Sequence, residues 1–208
     1  VDIPGLDSTV NFFCSCYVED LNVHLVLGGI GAGATGFSRE AGIWARSTDN
    51  GATWTTGQYD IGGNTGSPKS AQFNDVDTDG SKVIAIPNGG NLPAVQSTDG
   101  GQTWSPIAGF PILNANPYAI AYGDGDGSPA WIITEGSDKY RRSDDNGVTW
   151  DIMTVPGGSS AGSTPIQYSN GLWNMMIGSS IQAHSTDNGI TFNRFSFSPP
   201  ILGAYALD

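Results

Sequence analysis

One eight-residue phrase, written four times, constrains this chain more than any other feature. It reads Ser47-Thr-Asp-Asn-Gly-Ala-Thr-Trp54, Ser97-Thr-Asp-Gly-Gly-Gln-Thr-Trp104, Ser143-Asp-Asp-Asn-Gly-Val-Thr-Trp150 and Ser185-Thr-Asp-Asn-Gly-Ile-Thr-Phe192. The frame Ser-x-Asp-x-Gly-x-Thr-aromatic describes a tight hairpin turn. Its Asp carboxylate accepts hydrogen bonds from backbone N–H groups just ahead of it, and its Gly supplies a positive-φ position. The aromatic residue opens the next strand and folds back over the hairpin. The phrases start at residues 47, 97, 143 and 185, so they recur after 50, 46 and 42 residues. Strand-rich repeats with a period of about 40–50 residues are the mark of propeller blades.

Each repeat contains the same four strands. In the first they are Val10–Val18, Val23–Leu27, Gly42–Ser47 and Trp54–Tyr59; in the second, Ala71–Val76, Lys82–Ile86, Ala94–Ser97 and Trp104–Ile107. The third repeat reads Tyr118–Tyr122, Ala130–Thr134, Lys139–Ser143 and Trp150–Val155, and the fourth Thr164–Tyr168, Leu172–Ile177, Ile181–Ser185 and Phe192–Phe197. These runs are short, apolar and β-branched, and Gly, Asn, Pro and Asp separate them. No stretch shows sustained helical periodicity with caps. The expected fold is therefore all-β: one propeller domain over 1–208, with four-stranded antiparallel blades near 9–60, 70–108, 117–156 and 163–198. Residues 201–208 read like another inner strand. Two continuations fit: this strand closes the propeller against the first blade, or it begins a fifth blade.

The phrase resembles the Asp-box, or bacterial neuraminidase repeat, of sialidases, xyloglucan hydrolases, sortilin-type receptors and many phage and secreted proteins. In those families the box lies on the propeller rim, away from the ligand. The resemblance thus implies a structural role for Ser47, Asp49, Gly51, Trp54, Ser97, Asp99, Gly101, Trp104, Ser143, Asp145, Gly147, Trp150, Ser185, Asp187, Gly189 and Phe192. It also sets a test for activity. Sialidases carry three arginines around the substrate carboxylate, a Tyr–Glu nucleophile pair, an Asp acid/base and a Phe/Tyr-Arg-Ile-Pro motif. This chain has five arginines, at 39, 46, 141, 142 and 194, and no such motif. An anionic sugar would lack its clamp in a protein of net charge −12.

The same charge excludes nucleic acid and anionic membranes as expected partners, since no basic stripe exists to neutralise phosphates. No apolar run approaches the roughly 20 residues of a membrane helix. Charged residues make up 13% of the chain, against an average near 25%. Its polarity comes from Gly, Ser, Thr and Asn instead, a composition that fits an extracellular, secreted or virion-surface protein. The chain begins at Val1, which fits a removed leader or a domain of a larger chain or assembly.

Asp75-Val-Asp-Thr-Asp-Gly80 matches the opening of a calcium loop, three carboxylates at alternate positions followed by a bend. The later ligand positions hold Val83 and Ile86, so two readings stand: a calcium site on Asp75, Asp77 and Asp79, or an acidic turn without metal. Gly31-Ala-Gly-Ala-Thr-Gly36 spells a dinucleotide fingerprint but leads into a strand, and reads as a loop. Cys14 and Cys16, two apart on one strand, are poorly placed for a disulfide and read as core residues. Trp44, Trp131 and Trp173 fall within strands and read as core, as do His24 and His184 as packed or rim residues. Glu40, Glu135 and Asp60 are the carboxylates that a glycoside hydrolase would have to pair.

In each repeat the box turn and the turn between strands one and two lie at one end. The connections at the opposite end are longer and carry Arg39, Glu40, Tyr59, Asn64, Lys69, Asn88, Asn91, Asn114 and Asn116. Amides and a phenol offer donors, acceptors and an apolar face, which suit a neutral sugar or a wet protein interface. The expectation is a non-catalytic binding or attachment module for a glycan or protein receptor. The alternatives are a glycoside hydrolase and a purely structural propeller domain.

Overall fold

Sixteen strands form four antiparallel sheets of four, each consecutive in sequence. The computed structural model describes residues 3, 6, 10–30, 41–60, 72–88, 92–111, 117–135, 138–157, 165–177 and 181–196. The first sheet is β1 (Val10–Val18), β2 (Val23–Ile30), β3 (Ala41–Ser47) and β4 (Thr55–Asp60). The second is β5 (Phe73–Thr78), β6 (Val83–Pro87), β7 (Val95–Ser97) and β8 (Ser105–Pro106). The third is β9 (Pro117–Gly123), β10 (Ala130–Glu135), β11 (Lys139–Ser143) and β12 (Asp151–Thr154). The fourth is β13 (Ile166–Ser169), β14 (Leu172–Ile177), β15 (Ile181–Ser185) and β16 (Asn193–Ser196). The fold is the expected all-β β-propeller of four Asp-box blades. Helix is limited, among the described residues, to the 3-10 turns Glu19–Leu21 and Gly125–Gly127. No helix among them is long and apolar enough to cross a membrane.

The chain divides into two compact units, Val1–Pro106 and Ile107–Asp208. In the first unit, alternation along β1 sends Phe12, Cys14, Cys16 and Val18 inward and leaves Phe13, Ser15 and Tyr17 exposed. Cys14, Cys16 and Val18 pack with Leu25, Leu27 and Trp44 of their own blade and Phe73, Val76, Val83 and Val95 of the next. In the second unit, Ala121, Ile132 and Tyr140 of the third blade meet Ile166, Trp173, Met175 and Phe192 of the fourth. Ile132, Ile133, Trp131 and Trp173 are wholly buried. Residues 201–208, and with them the two continuations considered for that strand, lie outside the described residues, as does the Gly31–Gly36 motif.

Candidate functional site

The four boxes share one hydrogen-bond pattern. The Ser hydroxyl donates to Asp Oδ1 at 2.7–2.8 Å and accepts the Gly N–H at 2.8–2.9 Å. The Thr N–H donates to Oδ1 at 2.8–2.9 Å, and its hydroxyl to Oδ2 at 2.5–2.6 Å. The Trp54, Trp104 and Trp150 indoles close the hairpin by donating to the Gly carbonyl at 3.1 Å. Phe192 has no such donor; it is buried against Tyr140, rings 5.1 Å apart. These bonds hold the Asp carboxyls low. Thr53's hydroxyl and N–H, then Ser47, bring Asp49 to about 2, and Thr149 does the same for Asp145. At Asp99 and Asp187 burial pushes upward, but the Thr and Ser bonds outweigh it.

One box position that looked variable is not. Asn50 (φ 55°) and Gly51 (84°) are both left-handed, as are Gly100 and Gly101, Asn146 and Gly147, and Asn188 and Gly189. Two consecutive left-handed residues favour Asn-Gly or Gly-Gly, the two pairs that occur. The boxes are thus fully occupied in shaping turns.

The expected ligand-binding end is described only in part. Arg39, Glu40, Asn64, Lys69, Asn91, Asn114 and Asn116 lie outside the described residues. Tyr59 sits on β4, half-buried and packed against the core of its unit. Asn88 follows β6 and donates its N–H to the Gln72 carbonyl at 2.7 Å. The structure brings out two residues at the same end of the third blade that sequence reasoning did not join. Glu135 closes β10, and Arg141 lies on β11; Nε and Oε1 are 2.8 Å apart, with the side chains 3% and 1% exposed for Arg141 and Glu135. Arg141 also stacks its guanidinium over Phe110, 4.6 Å from the ring centroid. Burial raises the Glu135 carboxyl, and the opposing pull of Arg141 and Lys139 does not cancel it. In strand register, the corresponding positions are Gly28 and Ala45 in the first blade, Pro87 and Val95 in the second, and Ile177 and Ala183 in the fourth. A buried ion pair thus stands where three blades carry small or apolar residues.

The other described arginines are committed as well. Arg46 Nε donates to the Gly100 carbonyl at 3.1 Å, Arg142 Nε to the Asn188 carbonyl at 2.8 Å, and Arg194 to the Pro156 carbonyl at 3.3 Å. Arg142 also pairs with Asp144 at 2.8 Å.

Among the described residues, no three His, Cys, Asp or Glu side chains gather as a metal would need. Asp75 and Asp77 accept the N–H of the residue that follows each of them on β5, and Asp79 accepts from Ser81 and Lys82 to shape the turn. Cys14 and Cys16 are free thiols on one face of β1. Burial pushes both thiols up, helped by the Asp75 charge at Cys14 and by the Asp77 and Asp75 charges at Cys16, which rises to about 12. Trp44, Trp131 and Trp173 are core residues. His24 packs on Tyr17, ring centroids 4.7 Å apart, and His184 stacks on Phe195 at 4.5 Å.

Comparison with known proteins agrees with this geometry. A family described as BNR/Asp-box repeat matches residues 97–106, the second box and the strand after it. No curated protein matches the sequence. Among solved structures, YCF48 bound to D1 peptide superposes with a TM-score of 0.63 at 17% identity, over 95% of this chain and 56% of that one. YCF48 from Cyanidioschyzon merolae gives 0.63 at 17%, over 92% and 58%. Trypanosoma rangeli sialidase gives 0.53 at 15%, over 89% and 38%. The chain spans little more than half the length of the YCF48 structures, and at such identities the likeness concerns the fold alone. Four boxes with one bonding pattern, four sheets of four strands and these likenesses together give the chain the fold of a β-propeller built from Asp-box (BNR) repeats.

Proposed function

We propose that the chain is a non-catalytic binding module that takes a protein segment or a neutral glycan at the end opposite the boxes, on a secreted or virion surface. The observation that carries this reading is that all four described arginines are engaged by the protein itself. A sialidase spends three guanidinium groups on its substrate carboxylate; here those described stitch strands and blades together. Glu135, one of the carboxylates a glycoside hydrolase would need, is sealed against Arg141 and does not reach solvent as an acid or base should. The likeness to YCF48, solved with a peptide, favours a protein segment over a sugar as the occupant.

A peptide-display selection and a glycan array, run in parallel on the full chain, test this. Binding that weakens at least tenfold in Asn88→Ala or Asn91→Ala, with no sugar released, is the expected result. Steady release of reducing ends from xyloglucan or another neutral polysaccharide would refute it in favour of the hydrolase reading.

A further inference from the structure

The third box departs from the other three at its second residue. That residue is Asp144, where the first, second and fourth boxes carry Thr48, Thr98 and Thr186. The turn does not require the change, since Ser143, Asp145, Gly147 and Thr149 make the same bonds as their counterparts. What Asp144 meets is an arginine. Two arginines grip the box of the following blade, Arg46 through the Gly100 carbonyl and Arg142 through that of Asn188. Two residues after Arg46 stands a threonine; two after Arg142 stands Asp144, whose Oδ2 accepts from Nη1 at 2.8 Å.

Arg142 is 8% exposed and Asp144 mostly exposed. With Nε and Nη1 taken, Nη2 of Arg142 and Oδ1 of Asp144 make no hydrogen bond among the described residues. Both residues line a groove of about 430 Å³ within the second unit, together with Ser128, Pro129, Asn188 and Ile190. This volume falls at the low end of small-ligand sites, which run from about 300 to 1,000 Å³. Asn188 braces the wall by donating Nδ2 to the Ser128 carbonyl at 2.7 Å. The exposed Pro129 and Ile190 add an apolar surface.

The guanidinium is already balanced by the carboxylate, and the chain carries a net charge of −12, so the groove does not favour an anion. An ion pair with one donor and one acceptor to spare suits a neutral group that carries an acceptor beside a donor. Vicinal hydroxyls supply both, and the C–H face of a sugar ring meets the aliphatic wall. A trans peptide bond does not, because its N–H and C=O point to opposite sides.

We propose that the groove of Ser128, Arg142, Asp144 and Ile190 binds a neutral sugar, one hydroxyl donating to Asp144 and its neighbour accepting from Arg142. The site is at the box end, apart from the loop end considered above, and stands whichever ligand the loop end takes.

The test titrates ¹⁵N-labelled full chain with the methyl glycosides of mannose, galactose, glucose and fucose. The expected result is saturable shifts at the amides of Ser128, Asp144 and Ile190 with at least one of them, at a Kd of about 1–10 mM. Asp144→Thr installs the residue of the other boxes, so the turn should fold, and binding should weaken about fivefold or more. Glu19→Gln, at an exposed acid of the first unit, should bind as wild type. The permethylated glycoside keeps the ring but cannot donate, and should not bind. No saturable shift with any glycoside, or equal binding by Asp144→Thr or of the permethylated form, would overturn the proposal. Shifts confined to Tyr59 and Asn88 would also overturn it, while supporting the loop-end site. A response of the groove amides to N-acetylglutaminamide, with every glycoside silent, would assign the groove to a carboxamide side chain and refute the sugar.

Discussion

Replacing the buried Glu135–Arg141 pair with apolar residues is expected to leave stability nearly unchanged, although breaking it from either side is expensive. At 2.8 Å, and with an effective dielectric constant near 20, the Coulomb attraction is about 6 kcal/mol. Removing the two ions from water costs several kcal/mol each, so the net contribution is close to zero. Glu135→Leu alone strands a guanidinium, and Arg141→Met alone strands a carboxylate; each should cost about 3–5 kcal/mol. The double variant removes both penalties. It resembles the Ile177–Ala183 arrangement of the fourth blade, and loses chiefly the contact of Arg141 with Phe110, about 1–2 kcal/mol. Urea unfolding of the four proteins measures all three differences in one cycle. The double variant should be more stable than either single one and within about 2 kcal/mol of wild type, or above it. Single losses below about 1 kcal/mol, or a double loss equal to their sum, would refute the reasoning, because either result means the charges are solvated or independent.

Asp99→Ala, which strips the box of its acceptor, should cost about 1–3 kcal/mol by urea unfolding. The box carboxyls lie below their unfolded values, so their contribution is complete above about pH 4 and lost as pH falls through the folded values toward 2; an acid titration should show the wild type losing stability across that window and Asp145→Asn losing less. Gly101→Ala, at φ 81° beneath Leu25, should cost several times as much as Gly51→Ala, at φ 84° with only an ordinary contact to Trp54 among the described residues, where strain amounts to about 1–2 kcal/mol. Phe192→Ala should cost about 3–5 kcal/mol, and the half-buried Trp54→Ala less, as read by melting temperature. Because Asp79 already serves Ser81 and Lys82, millimolar calcium should not shift the melting temperature; a rise abolished by Asp77→Ala would establish the calcium site instead.

The fold was legible because its instructions are local. Each box brings its own donors, acceptor and positive-φ residues within eight positions, and alternation marks the strands beside it. Lys139–Ser143, Leu172–Ile177 and Ile181–Ser185 are identical in sequence expectation and structure. What escaped notice is non-local. The grips join Arg46 to Gly100 and Arg142 to Asn188 across blades, and no pattern in either segment names its partner. Glu135 reads as a loop carboxylate because Thr134-Glu-Gly leads out of an apolar run. The available clue was Arg141, standing two residues before a box where the other repeats have Ala45, Val95 and Ala183. The Asp75–Gly80 stretch left two readings open. Its alternating carboxylates match the opening of a metal loop, and the structure puts Asp75 and Asp77 on β5 and Asp79 in the turn, an arrangement spacing alone does not reveal.

The paired left-handed residues of the boxes also bear on chemical ageing. Asn-Gly is the dipeptide most prone to deamidation, because an unhindered glycine nitrogen can attack the neighbouring side-chain amide. Three boxes carry it, and in each the glycine N–H is tied to the box serine while the backbone is fixed at positive φ. Within the boxes the shielding is least at Asn50, whose glycine neighbour is half-exposed where those of Asn146 and Asn188 are buried. In a stored sample isoaspartate should appear at Asn50 before Asn146 and Asn188, and sooner still at the exposed Asn170–Gly171 turn, which lies outside the boxes, so peptide mapping over time reads how firmly each turn is clasped.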